Sequence, residues 1–255
     1  MVVNAPFVLA SPKAWLTGVL EPLLQHAVPH GQGIITFSYY VTGGSGALDW
    51  YGRASIVLFL TLLAVYALHF RKLGRAAVVL PWLLFWLSTR SQDGYWVLTM
   101  PLWVAGLVTT SRADFADAYQ LRLPTVLRSR TATIAATTAL FLPTAVCVGI
   151  AALTPQPLAM HATSGLARGA LVRALTVEVT NRSGKPVEPH FAVTTGVDIT
   201  EYWKITTGPA SVPPGTSATY TLAPPEMWKM PATGPVLLRA VSDHPQTLSS
   251  LRLAD

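Results

Sequence analysis

Arg90, Ser91, Gln92 and Asp93 stand together in a chain that carries few polar side chains around them. A guanidinium offers five donors in a planar fork, a geometry suited to phosphate oxygens. Beside it stand a hydroxyl, an amide and a carboxylate. Tyr95 and Trp96 follow after Gly94 and offer flat faces for a sugar ring or a prenyl chain. A lipid-linked phosphosugar would need all of these features. The same residues also read as a plain hairpin loop, with a snorkelling arginine touching ordinary headgroups and no ligand.

The knot lies between two apolar runs. Trp82 and Trp86 precede it and Trp103 follows it, and aromatic side chains of this kind collect at a membrane–water boundary. Charge at that depth is costly unless water, protein or a ligand satisfies it. The runs are residues 54–70, 76–88, 95–110 and 131–153. Crossing about 30 Å of hydrocarbon takes about 20 helical residues. The second and third runs are short for this, so they must borrow Thr89 and Arg90 or sit against other helices.

Basic residues orient the runs. Arg71, Lys72 and Arg75 follow the first, and Arg112, Arg122, Arg128 and Arg130 follow the third, seven of the 18 basic residues in two loops. Such loops belong in the cytoplasm. The knot, the N-terminal segment and everything after Leu153 then face outward. Ser11 and Pro12 are a helix-start signal. They open a segment with Trp15, Leu16, Val19, Leu20, Leu23 and Leu24 on one face, and Thr17, Glu21 and Gln25 on the other. That segment fits a helix lying in the interface. Residues 26–53 read as loop. The start of the chain lacks the pattern of a signal peptide. An outward N-terminus with no membrane helix before it is hard to translocate, so the chain is expected to be the C-terminal part of a longer protein or a reading frame started late.

Composition agrees with this division. The chain is 51% hydrophobic and 12% charged, with a mean hydropathy of +0.42, about half the charge of an ordinary soluble domain. The apolar runs end before Pro155. Residues 154–169 read as a linker rich in Pro, Gly and Ser. Beyond it the period becomes two: Leu171, Arg173, Leu175, Val177 and Val179 alternate with Val172, Ala174, Thr176, Glu178 and Thr180. Further short strands are expected at 190–195, 201–206, 217–222 and 236–241. The expected fold is a membrane α-helical region over 1–153, with about four transmembrane helices and one interfacial helix. An all-β immunoglobulin-like sandwich follows over 170–255.

Other chemistry is thinly represented. The sequence displays no triad, paired carboxylates, phosphate loop or metal cluster, so no catalytic residue, metal or cofactor is assigned. His26 and His30 have helical metal-ligand spacing, but Pro29 stands between them. Cys147 is the single cysteine and lies in an apolar run. Asn181-Arg182-Ser183 matches a glycosylation acceptor and reads equally as a turn between strands, which is favoured. The net charge of +6 is explained by the membrane loops, not by nucleic acid.

The opening stretch, with Asn4, Pro6, Phe7, Pro12, Ala14 and Trp15, resembles the segment after a membrane helix in bacterial polytopic GT-C fold glycosyltransferases. The stretch with Arg90, Ser91, Tyr95, Trp96 and Pro101 resembles their later outward loop. Together these cover roughly residues 4–110. The resemblance implies a donor of polyprenyl-phosphate sugar, handled at the outer face of the bacterial plasma membrane. The family's catalytic aspartate belongs to a first external loop that has no counterpart in this sequence. The expectation is therefore the C-terminal part of such an enzyme, able to hold donor or lipid and not catalytic alone. Arg90, Ser91, Gln92, Asp93, Tyr95 and Trp96 would form the lipid-phosphate or sugar site. The alternative is a non-enzymatic anchor that presents an outward β-domain to an envelope polymer or protein. A transporter is a third, weaker reading.

Overall fold

The computed structural model describes residues 4–24, 33–87, 93–111, 113–119, 121, 129–163, 167–196 and 198–254. They divide into two compact units: residues 1–36 with 50–149, and residues 37–49 with 150–255.

The first unit is helical. α1 (Ala5–Ala10) ends where Ser11 N–H bonds to Phe7 O, and α2 (Pro12–Leu24) starts at the expected proline. α3 (Asp49–Leu73) starts five residues before the apolar run proper. Its first turn holds Asp49 and its last turn Arg71 and Lys72, each sign matched to the helix dipole. Arg53 lies 4.4 Å over the Trp50 ring, which lets a charged residue continue the helix. Part of the segment read as loop is therefore helix, and Phe37–Val41 forms a single π-helical turn.

α3 and α7 (Arg130–Leu153) are the two helices long and apolar enough to cross a membrane among the described residues. At 1.5 Å per residue, α3 reaches about 37 Å. Thr61 Oγ1 donates to Leu140 O at 2.9 Å, and His69 Nε2 lies 2.8 Å from Thr137 Oγ1. These bonds join the two helices where few polar groups exist. Leu60, Leu63, Ile134, Leu142 and Val146 are each more than half exposed, an apolar surface suited to lipid.

The middle runs form shorter helices than four full spans require. The second is α4 (Ala76–Val79) and α5 (Trp82–Leu87), interrupted at Leu80-Pro81. Pro81 has no N–H, and the bonds tighten there to Leu83 N–H to Leu80 O and Leu84 N–H to Pro81 O. The third is α6 (Asp93–Thr109), 17 residues long with Pro101 inside it.

The second unit is β-rich. One sheet has the order β1 (Leu158–Ala162), β3 (Leu175–Asn181), β7 (Ser217–Ala223), β6 (Lys204–Thr207). The other has β10 (Gln246–Ala254), β9 (Val236–Asp243), β4 (His190–Thr195), β5 (Asp198–Ile199). A small ribbon pairs β2 (Leu171–Val172) with β8 (Trp228–Lys229). Neighbouring strands within each sheet are antiparallel. Leu175, Val177 and Val179 of one sheet and Phe191, Val193, Val236 and Leu238 of the other are all fully buried in one apolar core. β1 occupies part of the stretch read as linker. β10, the longest strand, has no counterpart in the sequence reading. Leu158 N–H donates to Ser249 Oγ at 3.1 Å, joining these two edge strands.

Candidate functional site

α4–α5 and α6 form an antiparallel helical hairpin, and its register can be followed rung by rung. Arg75 Nε donates to Thr110 O at 2.9 Å. Gly106 faces Val78 so closely that a Cβ there would lie 2.8 Å from Val78 Cγ1. Trp82 and Trp103 meet at 5.1 Å between ring centres, Phe85 and Trp103 at 5.4 Å, and Trp86 and Trp96 at 6.4 Å. Trp96 also stacks at 5.6 Å on Trp82 and 6.2 Å on Phe85. Aromatic residues on facing helices thus fill the space between them, and edge-on and tilted geometries of this kind add stability beyond burial.

Of the expected site residues, Trp96 is the one whose side chain is described. Arg90, Ser91 and Gln92 lie outside the described residues. Asp93 and Tyr95 belong to the first turn of α6, and their side chains lie outside the described set. Trp96 is placed, and it joins the cluster with Trp82, Phe85 and Trp86. An apolar groove of about 440 Å³ runs beside that cluster, lined by Ala76, Val79, Leu80, Trp82, Leu83 and Trp86. Trp82 Nε1 is buried and has no acceptor among the described residues. A buried indole N–H normally has a partner, so this donor stands out.

The β-rich unit holds a second polar centre. Arg239, in β9, is 1% exposed. Its guanidinium carbon lies 4.3 Å from the centre of the Tyr39 ring. Its Nη1 donates to Gly43 O at 3.3 Å and to Ser250 Oγ, and its Nε lies 3.4 Å from Thr194 Oγ1. No carboxylate partners it among the described residues. Burial pulls the Arg239 guanidinium below its usual range, while Tyr39 and Tyr40 push the other way. Burial also pushes the Tyr39 phenol up, and Thr194 and Arg239 offset part of that.

This centre straps residues 37–49 to the sheet. Ser45 N–H donates to Leu248 O and Leu248 N–H to Ser45 O, both at 2.8 Å. Ser45 Oγ donates to Ala151 O at 2.5 Å. Gln156 Oε1 accepts from Ser250 N–H at 2.9 Å. A Cβ at Gly44 would lie 2.3 Å from Leu248 O, so only glycine allows the approach. The sequence reading missed Arg239. Its signal was a lone arginine within the apolar strand VLLRAVSD.

One smaller reading is resolved by geometry. Asn181 is fully buried; its Nδ2 donates to Lys185 O and Val212 O, and its Oδ1 accepts from Ser183 N–H and Oγ–H. The acceptor-like tripeptide is thus a turn whose amide is fully engaged. His26 and His30 lie outside the described residues. Among the described residues, no group of three or more His, Cys, Asp or Glu side chains is placed to hold a metal.

No family model matches the chain, and no curated protein does. A solved FixG-related protein from Vibrio parahaemolyticus is similar, at 18% identity and a TM-score of 0.24, over 40% of this chain and 98% of its own.

Proposed function

We infer that the chain is the C-terminal part of a GT-C-like membrane glycosyltransferase, and that its helical hairpin holds a polyprenyl-phosphate sugar at the outer face of the bacterial plasma membrane. The observation that carries the reading is Trp82. Its indole N–H is buried without an acceptor among the described residues, beside an apolar groove and in a cluster that includes Trp96. A prenyl chain suits the groove, and an oxygen of its phosphate or sugar suits the donor. Arg90 would add the charge-assisted bonds. The catalytic acid that the resemblance implies is assigned to no residue of this sequence, so the reading is one of donor or lipid binding.

In this reading α3 and α7 span the membrane, and the hairpin completes four spans by packing against them. The β-rich unit is an immunoglobulin-like sandwich on the outer side. What supports the sandwich is the single apolar core drawn from both sheets.

The test is binding of a short-chain prenyl phosphate to the full chain in nanodiscs. Trp82→Phe keeps the ring and removes the donor, and should weaken binding several-fold. Arg90→Ala should weaken it by about 1.5–3 kcal/mol, and Arg90→Lys by less. Wild-type affinity in Arg90→Ala and Trp82→Phe together would remove the site from the hairpin.

A further inference from the structure

We propose that the opposite end of the same hairpin is a binding site for the phosphate of an anionic lipid headgroup. A cavity of about 750 Å³ opens there, between the α3–α4 turn and the turn after α6. Arg71, Lys72 and Arg75 line it, with Ser111 and Phe115 on the other side. All three cations are exposed to solvent, and among the described residues none has a carboxylate partner. The nearby acid, Asp114, already accepts from Ser111 N–H at 2.7 Å.

The walls are fixed rather than fortuitous. Arg75 Nε is held by Thr110 O, which leaves its terminal nitrogens to donate elsewhere. Phe115 is 8% exposed and stacks edge-on against Phe70 at 5.3 Å, which anchors the second turn. Gly74, at φ +52°, turns the chain so that Arg71, Lys72 and Arg75 converge. Cations that served orientation alone would need only to sit in the loop. These line a concave space against a membrane-length apolar helix, the arrangement by which basic pockets take lipid headgroups. A free phosphorylated solute shares the phosphate chemistry but has no tail to lay along that helix.

The inference rests on the membrane part of the reading above and not on its prenyl site. The test is native mass spectrometry of the full chain in detergent, titrated with dioleoyl phosphatidylglycerol or dioleoyl phosphatidylcholine. Wild type should retain phosphatidylglycerol roughly tenfold better. Arg71→Gln/Lys72→Gln/Arg75→Gln should lose that preference, while Arg71→Lys/Arg75→Lys keeps most of it. Arg71→Gln/Lys72→Gln, which leaves the Arg75–Thr110 rung intact, should weaken the preference in part and leave prenyl-phosphate binding at the far end unchanged. No lipid preference in wild type overturns the proposal, as does an unchanged preference in the triple glutamine variant. Displacement of phosphatidylglycerol by millimolar inorganic phosphate would assign the cavity to a soluble ligand and overturn the headgroup assignment.

Discussion

Arg239 rests its guanidinium on the face of Tyr39, 4.3 Å from the ring centre, and no carboxylate shares its burial among the described residues. A charge taken out of water without a counter-ion is tolerated only when its donors and its faces are occupied. Here Gly43 O, Ser250 Oγ and Thr194 Oγ1 take the donors, and the ring takes one face. The relationship binds an N-terminal segment to the β-rich unit.

The ring and the charge should not be equivalent in mutation. Tyr39→Leu leaves the guanidinium buried with a face bare and should cost about 2–3 kcal/mol. Arg239→Met keeps the stem and removes the desolvated charge, so it should cost less. The double variant should be no less stable than Tyr39→Leu alone. Denaturant unfolding followed on the β-rich unit reads all three. A larger loss for Arg239→Met would show that the hydrogen bonds, not the ring, hold the strap.

Gly44 tests the strap without touching Arg239. Gly44→Ala would place a Cβ 2.3 Å from Leu248 O. The segment must then move off β10, at about 1–3 kcal/mol. Amide exchange at Leu248, whose N–H bonds to Ser45 O, should quicken. Gly184→Ala, with open space around it, serves as the control. Unchanged protection at Leu248 would refute the close approach.

Alkaline pH should weaken the β-rich unit through Tyr220. Its hydroxyl is buried without a partner among the described residues, and burial pushes its pKa up to about 12 from the usual 10. The folded state therefore favours the neutral phenol. Its contribution is complete below pH 10 and is lost as pH rises through about 12. Tyr220→Phe removes that dependence. At pH 7 it should cost little, because the lost hydroxyl made no bond. An identical alkaline midpoint in wild type and Tyr220→Phe would contradict this.

How much of this could be read from the sequence follows from the range of each interaction. The alternation at 175–179 is local, and it matches the buried side of β3. Residues 190–195 are β4 as expected, because flanking turns mark both ends. β10 went unread because QTLSSLRLA looks polar in its centre. Its Ser249 is fully buried and accepts from Leu158 N–H, a bond to a strand 91 positions away. The tryptophans at 82, 86, 96 and 103 read as an aromatic belt at a membrane boundary, not as a packed cluster. Their pairing needed the hairpin register. The Arg239–Tyr39 pair was illegible for the same reason: Arg239 stands out in its apolar strand, but nothing local names Tyr39 as its partner.

Sidedness is open to a direct check. With Cys147→Ala as background, Ala116→Cys should be shielded from an impermeant thiol reagent in intact cells, and Gly184→Cys should react. The reverse pattern would reject the orientation taken from the basic loops.

The central claim is that the hairpin holds the prenyl phosphate. A photoreactive prenyl phosphate, cross-linked to the full chain in nanodiscs and mapped by peptide mass spectrometry, tests it most directly. The account predicts label on residues 76–103, beside Trp82 and Trp96, and its loss in the presence of excess unlabelled prenyl phosphate. Label confined to α7 or to residues 150–254, or label that excess ligand does not displace, would contradict it.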